Sequence, residues 1–542
     1  MPSLAPTAPE EPASGSAILQ PAVMPPRSDD EPRAERARER TARSPSTTPF
    51  RSVASRAQRS PLDPRFLGGR HKHILYVTSE IDDYVKAGGL GEVSATLPRA
   101  LRRHCDIRVL IPGYRQVVEH HPDMTIVAHL PAYAGLPACD IGRVRAPDGL
   151  IIYVVKCPEL YERNGTPYLD AAGQDWQDNH IRFARLSLAA AEMAIGCTGL
   201  EWRPNFLHLN DWTSALTSGY LAWRGSATPS ILTIHNLAYQ GLFDATCLPQ
   251  LGIPAHAYQV DGVEFYGRLS FLKAGIFYAS HLTTVSGTYA DEITRPEFGC
   301  GLDGLLKLRA AEGRLTGILN GIDESWDPKR DPSLLKRFDA GEWAAKRRNG
   351  DYIRNAFGLA VSRGPLFAIV SRLVHQKGVD LAIQAAESIV EDGGQMVVTG
   401  RGEKRFEKAM VDLAKRFPGS VGVRIGFDQE EARRMFAGSD FLLMPSRFEP
   451  CGLSQMYAQR FGSLPIAHKT GGLADTIEDG LTGFLFSDLS LPAFVDAIKR
   501  AMNTYASRRR INKMRREAMS RSFGWQRSAA GYDHVYSVAG LA

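Results

Sequence analysis

Cysteine is scarce and unpatterned in this chain. Its seven cysteines, Cys105, Cys139, Cys157, Cys197, Cys247, Cys300 and Cys451, are scattered through 542 residues without a C-x-x-C pair. That excludes a disulfide framework and a cysteine-bound zinc site, and fits a reducing cytosol, so a cytoplasmic location is expected. No apolar run approaches the ~18 residues of a membrane span, and no membrane partner is expected. A strong surplus of one charge is missing too. The formal net charge is +6, and the first seventy residues, with 11 arginines against 8 acids, carry much of it. A nucleic-acid binder would concentrate positive charge on its folded part, so no nucleic-acid partner is expected.

Residues 1–70 also have few aromatics and no apolar periodicity, being rich in Pro, Ser, Ala, Arg and Glu. Such composition does not bury enough apolar surface to offset the entropy of ordering, and a disordered tail is predicted. The acids Asp29, Asp30, Glu31, Glu35 and Glu39 speak against an organelle transit peptide, and no apolar core of a secretory signal is present.

What is present, from His73 onward, is β–α alternation. The length calls for two domains. Strands are predicted at His73–Ser79, Ile107–Ile111, Ile151–Val155, Phe206–His208, Ser230–Ile234 and His281–Val285, with helices over Asn179–Ile195 and Trp212–Trp223. After a charged linker near 328–363, alternation resumes with strands at 365–370, 395–399, 423–425, 441–444 and 464–467. The expected fold class is α/β, with two Rossmann-like doubly wound domains facing across a cleft. The expected boundaries are a tail over 1–70, a first domain over 71–330, a second over 331–522, and a terminal segment over 523–542 that returns to the first.

Charged and glycine-bearing loops follow these strands, at the edge where open α/β sheets bind ligands. Lys86-Ala87-Gly88-Gly89-Leu90-Gly91-Glu92 joins a strand to a helix start, which suits an anion. It fits a plain turn with a solvated lysine equally, being neither G-x-G-x-x-G nor a Walker loop. Arg372 and Lys377, in Ser371–Gly378, have the chemistry to clamp a diphosphate, one as a planar fork and one as a point charge. His208 and His235 each end a strand; a lone histidine is more often a packing residue, and their spacing excludes zinc. Asp211, before Trp212, is expected to cap a helix in addition to any other role. Glu449, in Arg447-Phe448-Glu449-Pro450-Cys451-Gly452, suits charge stabilisation on a sugar ring, or else a surface pair with Arg447. Thr470-Gly471-Gly472 offers another anion site, and Cys451 is read as a packing residue.

These segments, taken in order, resemble the bacterial glycogen synthases and plant starch synthases, retaining glycosyltransferases of the GT-B fold. The resemblance runs from about His73 to Val538. It rests on the lysine–glycine loop, Leu160–Arg163 with Pro167-Tyr168, His208–Trp212, Ile234–Gly241, Phe271–Gly275, Leu319–Asp323, Ser371–Gly378, Pro445–Gly452 and Thr470–Asp475. It implies transfer of glucose from ADP-glucose to the non-reducing 4-hydroxyl of glycogen or another α-1,4-glucan, with retention of configuration and with no metal or other cofactor. It implies that Lys86, Gly88 and Gly89 approach the donor phosphates from the first domain, while Arg372 and Lys377 clamp them from the second. Glu449 matches the family's essential acid, His235 the histidine beside the sugar, Asp211 a group near the reacting centre, and Thr470-Gly471-Gly472 a loop at donor phosphate. Front-face substitution is the favoured mechanism.

Three departures stand out. Position 210 is Asn where many relatives carry histidine. Tyr457 stands where related enzymes carry a second glutamate and is expected to pack against nucleotide. Segment 475–485 is compact. A glucan phosphorylase, another nucleotide-sugar transferase and a non-catalytic glucan-binding scaffold are the competing readings.

Overall fold

Short, continuously apolar runs form the central strands, as expected where both faces of a parallel sheet are covered by helices. The computed structural model describes residues 72–196 and 199–540; the predicted tail over 1–70 and Cys197 lie outside the described residues. In chain order the first half holds β1 (His73–Val77), β2 (Asp106–Pro112), β3 (Thr125–Leu130), β4 (Cys139–Arg145), β5 (Ile151–Lys156), β6 (Phe206–Asn210) and β7 (Ser230–Ile234). It continues with β8 (Leu242–Asp244), β9 (Glu264–Phe265), β10 (Arg268–Ser270), β11 (His281–Thr284) and β12 (Leu315–Gly317). The second half holds β13 (Leu366–Val370), β14 (Gln395–Gly400), β15 (Val421–Ile425), β16 (Phe441–Met444), β17 (Leu464–His468) and β18 (Phe484–Phe486).

The first sheet runs β12-β11-β7-β6-β1-β2-β5-β4-β3, and the second β15-β14-β13-β16-β17-β18. The second is parallel throughout. In each sheet the chain starts in the middle, winds one way, then returns to the middle and winds the other way. The strand order therefore reverses between β1 and β6, and again between β13 and β16. At such a switch point the loops leave in opposite directions and open a crevice at the carboxyl ends of the strands.

One edge departs from the expected all-parallel alternation. β3 and β4 pair antiparallel with each other, and β4 with β5. No helix separates β3 from β4, so the chain turns back directly rather than crossing over. A separate three-stranded antiparallel sheet, β8-β10-β9, follows the loop after β7.

The helix Trp525–Ala539 joins the core of the first half through Trp525, Ala529, Tyr532, Val535 and Tyr536. Lys72 holds Asp533 at 2.6 Å. The linker contributes the helix Trp343–Ala356, whose buried Lys346 donates to the carbonyls of Ala437 (3.0 Å) and Phe461 (2.8 Å). Among the described residues no helix is long and apolar enough to cross a membrane.

Candidate active site

The loops leaving β13 and β16 meet at the second switch point. Gly378, which has φ +66°, lies so close to that loop that a Cβ there would stand 1.9 Å from the carbonyl oxygen of Pro445. Only glycine permits this approach. The contact brings Lys377 to Glu449: Nζ donates to Oε2 at 2.5 Å, and both side chains are largely buried. Ser446 also donates to Glu449 Oε2, at 3.2 Å. Arg447 instead forms a two-pronged pair with Asp380, at 2.8 and 2.7 Å. The alternative of an Arg447–Glu449 surface pair is therefore corrected: Glu449 is buried and belongs to Lys377. Arg372 is exposed and reaches across to the first half, donating to the Tyr239 hydroxyl at 3.1 Å.

In the first half, β6 and β7 end side by side. His235 follows β7, and its Nε2 donates to Asn210 Oδ1 at 2.9 Å. Burial lowers the imidazole to about 3, so the ring is neutral at physiological pH. Asp211 has φ +53°, a left-handed backbone that is strained for a non-glycine residue. Its Oδ1 accepts from the backbone N–H of His235 at 2.7 Å and of Asn236 at 3.4 Å. Burial raises this carboxyl to about 7. The expected capping role is corrected, because Asp211 is already the first helical residue and its carboxylate serves the neighbouring loop. His208 is a packing residue, bonded to Tyr536 and Thr233 at 2.7 Å each. Cys451 is likewise buried, its thiol pushed up to about 12 by that burial.

Both glycine loops hold carboxylates of the protein itself. Ala87 and Gly88 donate their N–H groups to Glu80, at 2.7 and 2.9 Å. Lys86 is paired with Asp82 at 2.8 Å and Glu92 at 3.3 Å. The Thr470 hydroxyl and the Gly471 N–H, expected at donor phosphate, bind Glu292 of the first half at 2.9 and 3.0 Å. Gly472 donates to the carbonyl of Glu449 at 3.0 Å. Ser286 reaches the Pro450 carbonyl at 2.6 Å, and Thr288 reaches Asp475. The two halves are thus joined beside the site.

Tyr457 differs from expectation. Its ring stacks on Trp326 with centroids 3.6 Å apart, and its hydroxyl donates to Glu92. One face and the polar tip are therefore taken by protein rather than left for nucleotide. Glu92 links Tyr457 of the second half to Lys86 of the first. Glu80 and Glu292 lie outside the motifs legible in the sequence; Glu92 and Asn210 lie inside two of them, the lysine–glycine loop and His208–Trp212, but the sequence assigns neither a role.

The structure thus brings Lys377 and Glu449 together, with Arg372 on the same loop as Lys377 but bonded to Tyr239, and places Lys86, Gly88, Gly89, Asp211 and His235 just beyond strand ends of the other half. Gly89 comes against Leu453 of the second half.

Comparison with known proteins gives a consistent picture. Residues 73–308 match the starch synthase catalytic domain family, and residues 355–518 match glycosyl transferases group 1. A protein of Bradyrhizobium diazoefficiens named glycogen synthase 1 is 58% identical over 456 residues, covering 84% of this chain and 99% of its own length. A glycogen synthase of Pseudomonas savastanoi is 57% identical over 465 residues, covering 86% and 96%. The catalytic domain of starch synthase IV from Arabidopsis thaliana, solved bound to ADP and acarbose, superimposes with a TM-score of 0.77 at 30% identity, covering 87% of this chain and all of that one.

Proposed function

Because the chain belongs to the glycogen and starch synthase family of glycosyltransferases, we propose that it transfers glucose from ADP-glucose to the non-reducing end of an α-1,4-glucan, releasing ADP and retaining configuration. The observation that carries this reading is the Lys377–Glu449 pair at the switch point of the second sheet, with Arg372, on the same loop as Lys377, reaching Tyr239 of the first half.

The chemistry follows from charge. Departure of ADP places negative charge on the diphosphate and positive charge on the sugar ring. Arg372, a planar fork, and Lys377, a point charge, neutralise the first. Glu449 serves two ends: it holds the Lys377 ammonium, and its carboxylate opposes positive charge growing on the glucose. Lys86 and the Gly88-Gly89 loop approach the phosphates from the other wall, and Thr470-Gly471-Gly472 supports Glu449 from behind. Neutral His235 offers hydrogen bonds to the sugar without competing for its charge. Asp211 fixes the His235 backbone.

Substitution on the front face fits this arrangement, since rate then comes from positioning the acceptor hydroxyl and stabilising separated charge. The acceptor class is glycogen or a related glucan, and the cytoplasm is the proposed site of action.

Purified protein incubated with glycogen and ADP-glucose, and separately with UDP-glucose, tests this. Chain elongation with release of ADP from ADP-glucose is expected. No nucleotide release from either donor, or elongation only with glucose 1-phosphate, would overturn the assignment.

A further inference from the structure

One carboxamide ties three strand ends together at the first switch point. Asn210, the last residue of β6, is fully buried. Its Nδ2 donates to the carbonyl oxygen of Val77, the last residue of β1, at 3.0 Å. Its Oδ1 faces His235 Nε2, just beyond β7, at 2.9 Å. A carbonyl oxygen only accepts, so the amide nitrogen must face Val77 and the amide oxygen must face the imidazole. That oxygen only accepts in turn, so His235 must carry a proton on Nε2. The backbone of Asn210 is pinned as well, its N–H donating to Ser214 Oγ at 2.7 Å and its carbonyl accepting from the same hydroxyl at 2.9 Å. The two side-chain bonds set the orientation of the amide, and the backbone bonds hold the residue that carries it.

We propose that Asn210 is a positioning residue for glycosyl transfer: it locks His235 in the tautomer protonated on Nε2, holding Nδ1 as a fixed acceptor for a sugar hydroxyl. The sugar partner rests on the functional reading above; the lock itself does not.

A ring fixed this way differs from a free imidazole in two respects. It does not exchange its acceptor and donor ends, so a hydroxyl that must donate always meets a lone pair. It also resists protonation, because a proton added to Nδ1 would create a cation on a half-buried ring that desolvation already disfavours. The titratable groups around it do not offset that cost. Asp211 spends its Oδ1 on the backbone N–H groups of His235 and Asn236, and burial raises its carboxyl toward the neutral form. His208, the neighbour on β6, is itself held neutral by burial. Glu80 acts on Asp211 and accepts from the N–H groups of Ala87 and Gly88.

The full chain labelled with 15N-histidine supplies the test, because imidazole nitrogen shifts distinguish a protonated nitrogen from a bare one. His235→Asn identifies the resonances. Wild-type His235 is expected to show a protonated Nε2 and a bare Nδ1, unchanged between about pH 5 and 8. Asn210→Leu removes the acceptor, and both tautomers then populate. Asn210→Asp keeps the shape but puts a carboxylate beside the ring, and His235 then titrates within that range. In both variants kcat falls on the order of 10-fold, with donor KM within about twofold, as for other partners that orient a functional histidine.

A proton on Nδ1 in the wild type, an ordinary titration of His235, or a folded Asn210→Leu protein with unaltered tautomer and kcat would overturn the proposal. Should the leucine variant fail to fold, the wild-type spectrum and the aspartate variant decide. A locked ring in a protein that turns over no sugar nucleotide overturns the sugar role, and traces that failure to the functional reading rather than to the lock.

Discussion

The two halves of the molecule solve the same topological problem with opposite electrostatics. Each sheet reverses its strand order near the middle and sends loops into the crevice between them. In the first half the charge is internally spent: Lys86 lies between Asp82 and Glu92, and the N–H groups of Ala87 and Gly88 hold Glu80. In the second half, among the described residues, Arg372 is exposed and bonded to a tyrosine hydroxyl, and Lys377 pairs with the single carboxylate of Glu449. The lesson is a division of labour. On the proposed function, the first half supplies a wall whose lysine is shared between two carboxylates, and the second supplies one cation held by a hydroxyl and one held by a single carboxylate, the pair proposed to take up a diphosphate.

The comparison is broken most severely at Glu449. Glu449→Gln leaves the Lys377 ammonium unpaired and removes the carboxylate opposed to the sugar's positive charge; kcat should fall on the order of 10³, measured as ADP release at saturating donor and glycogen. A variant with near-normal kcat would remove Glu449 from the chemistry. Next come the second-half cations. Lys377→Ala and Arg372→Ala should each cost on the order of 10² in kcat/KM. Lys86→Ala sharpens the contrast. Since that lysine already satisfies two carboxylates, its loss should cost only about 10-fold, roughly 1.4 kcal/mol. Equal effects of Lys86→Ala and Lys377→Ala would contradict the division of labour.

Asp211 gives a smaller, pH-dependent effect. Burial raises its carboxyl to about 7 in the native protein, whereas an unfolded aspartate titrates near 3.9. Between about pH 4 and 7 the native state therefore binds more protons than the unfolded chain, and stability falls as pH rises through that window. Asp211→Asn should flatten this slope, as read from urea midpoints at a series of pH values. An unchanged slope would show that the carboxyl is not so raised.

Much of this arrangement is legible in the sequence. The runs at β13, β16 and β17 are short, apolar and followed by charged or glycine-bearing loops, and the helix Asn179–Ile195 has the bounds its composition suggests. Arg372, Lys377 and Glu449 stand out because they sit directly after such strands. The antiparallel edge is hard to read from sequence because β3 is largely exposed and β4 mixes charged with apolar residues, which blurs the strand signal. β8, β9 and β10 are only two or three residues long and have no period to read. The carboxylate Glu292 was hidden for a different reason: it reaches its glycine loop through tertiary contact from 179 residues away, whereas Glu80 lies seven residues before Ala87 and curls back onto its loop without a sequence pattern that marks it. Asn210 shows the same limit, since its meaning lies in Val77 and His235, which only the sheet brings together.

The most direct test of the central claim is the structure of the protein with ADP bound. The diphosphate should lie in the crevice between the halves, within hydrogen-bonding distance of Arg372 and Lys377 and facing the Gly88-Gly89 loop. A nucleotide bound elsewhere, with Arg372 still on Tyr239 and Lys377 still on Glu449, would contradict the account.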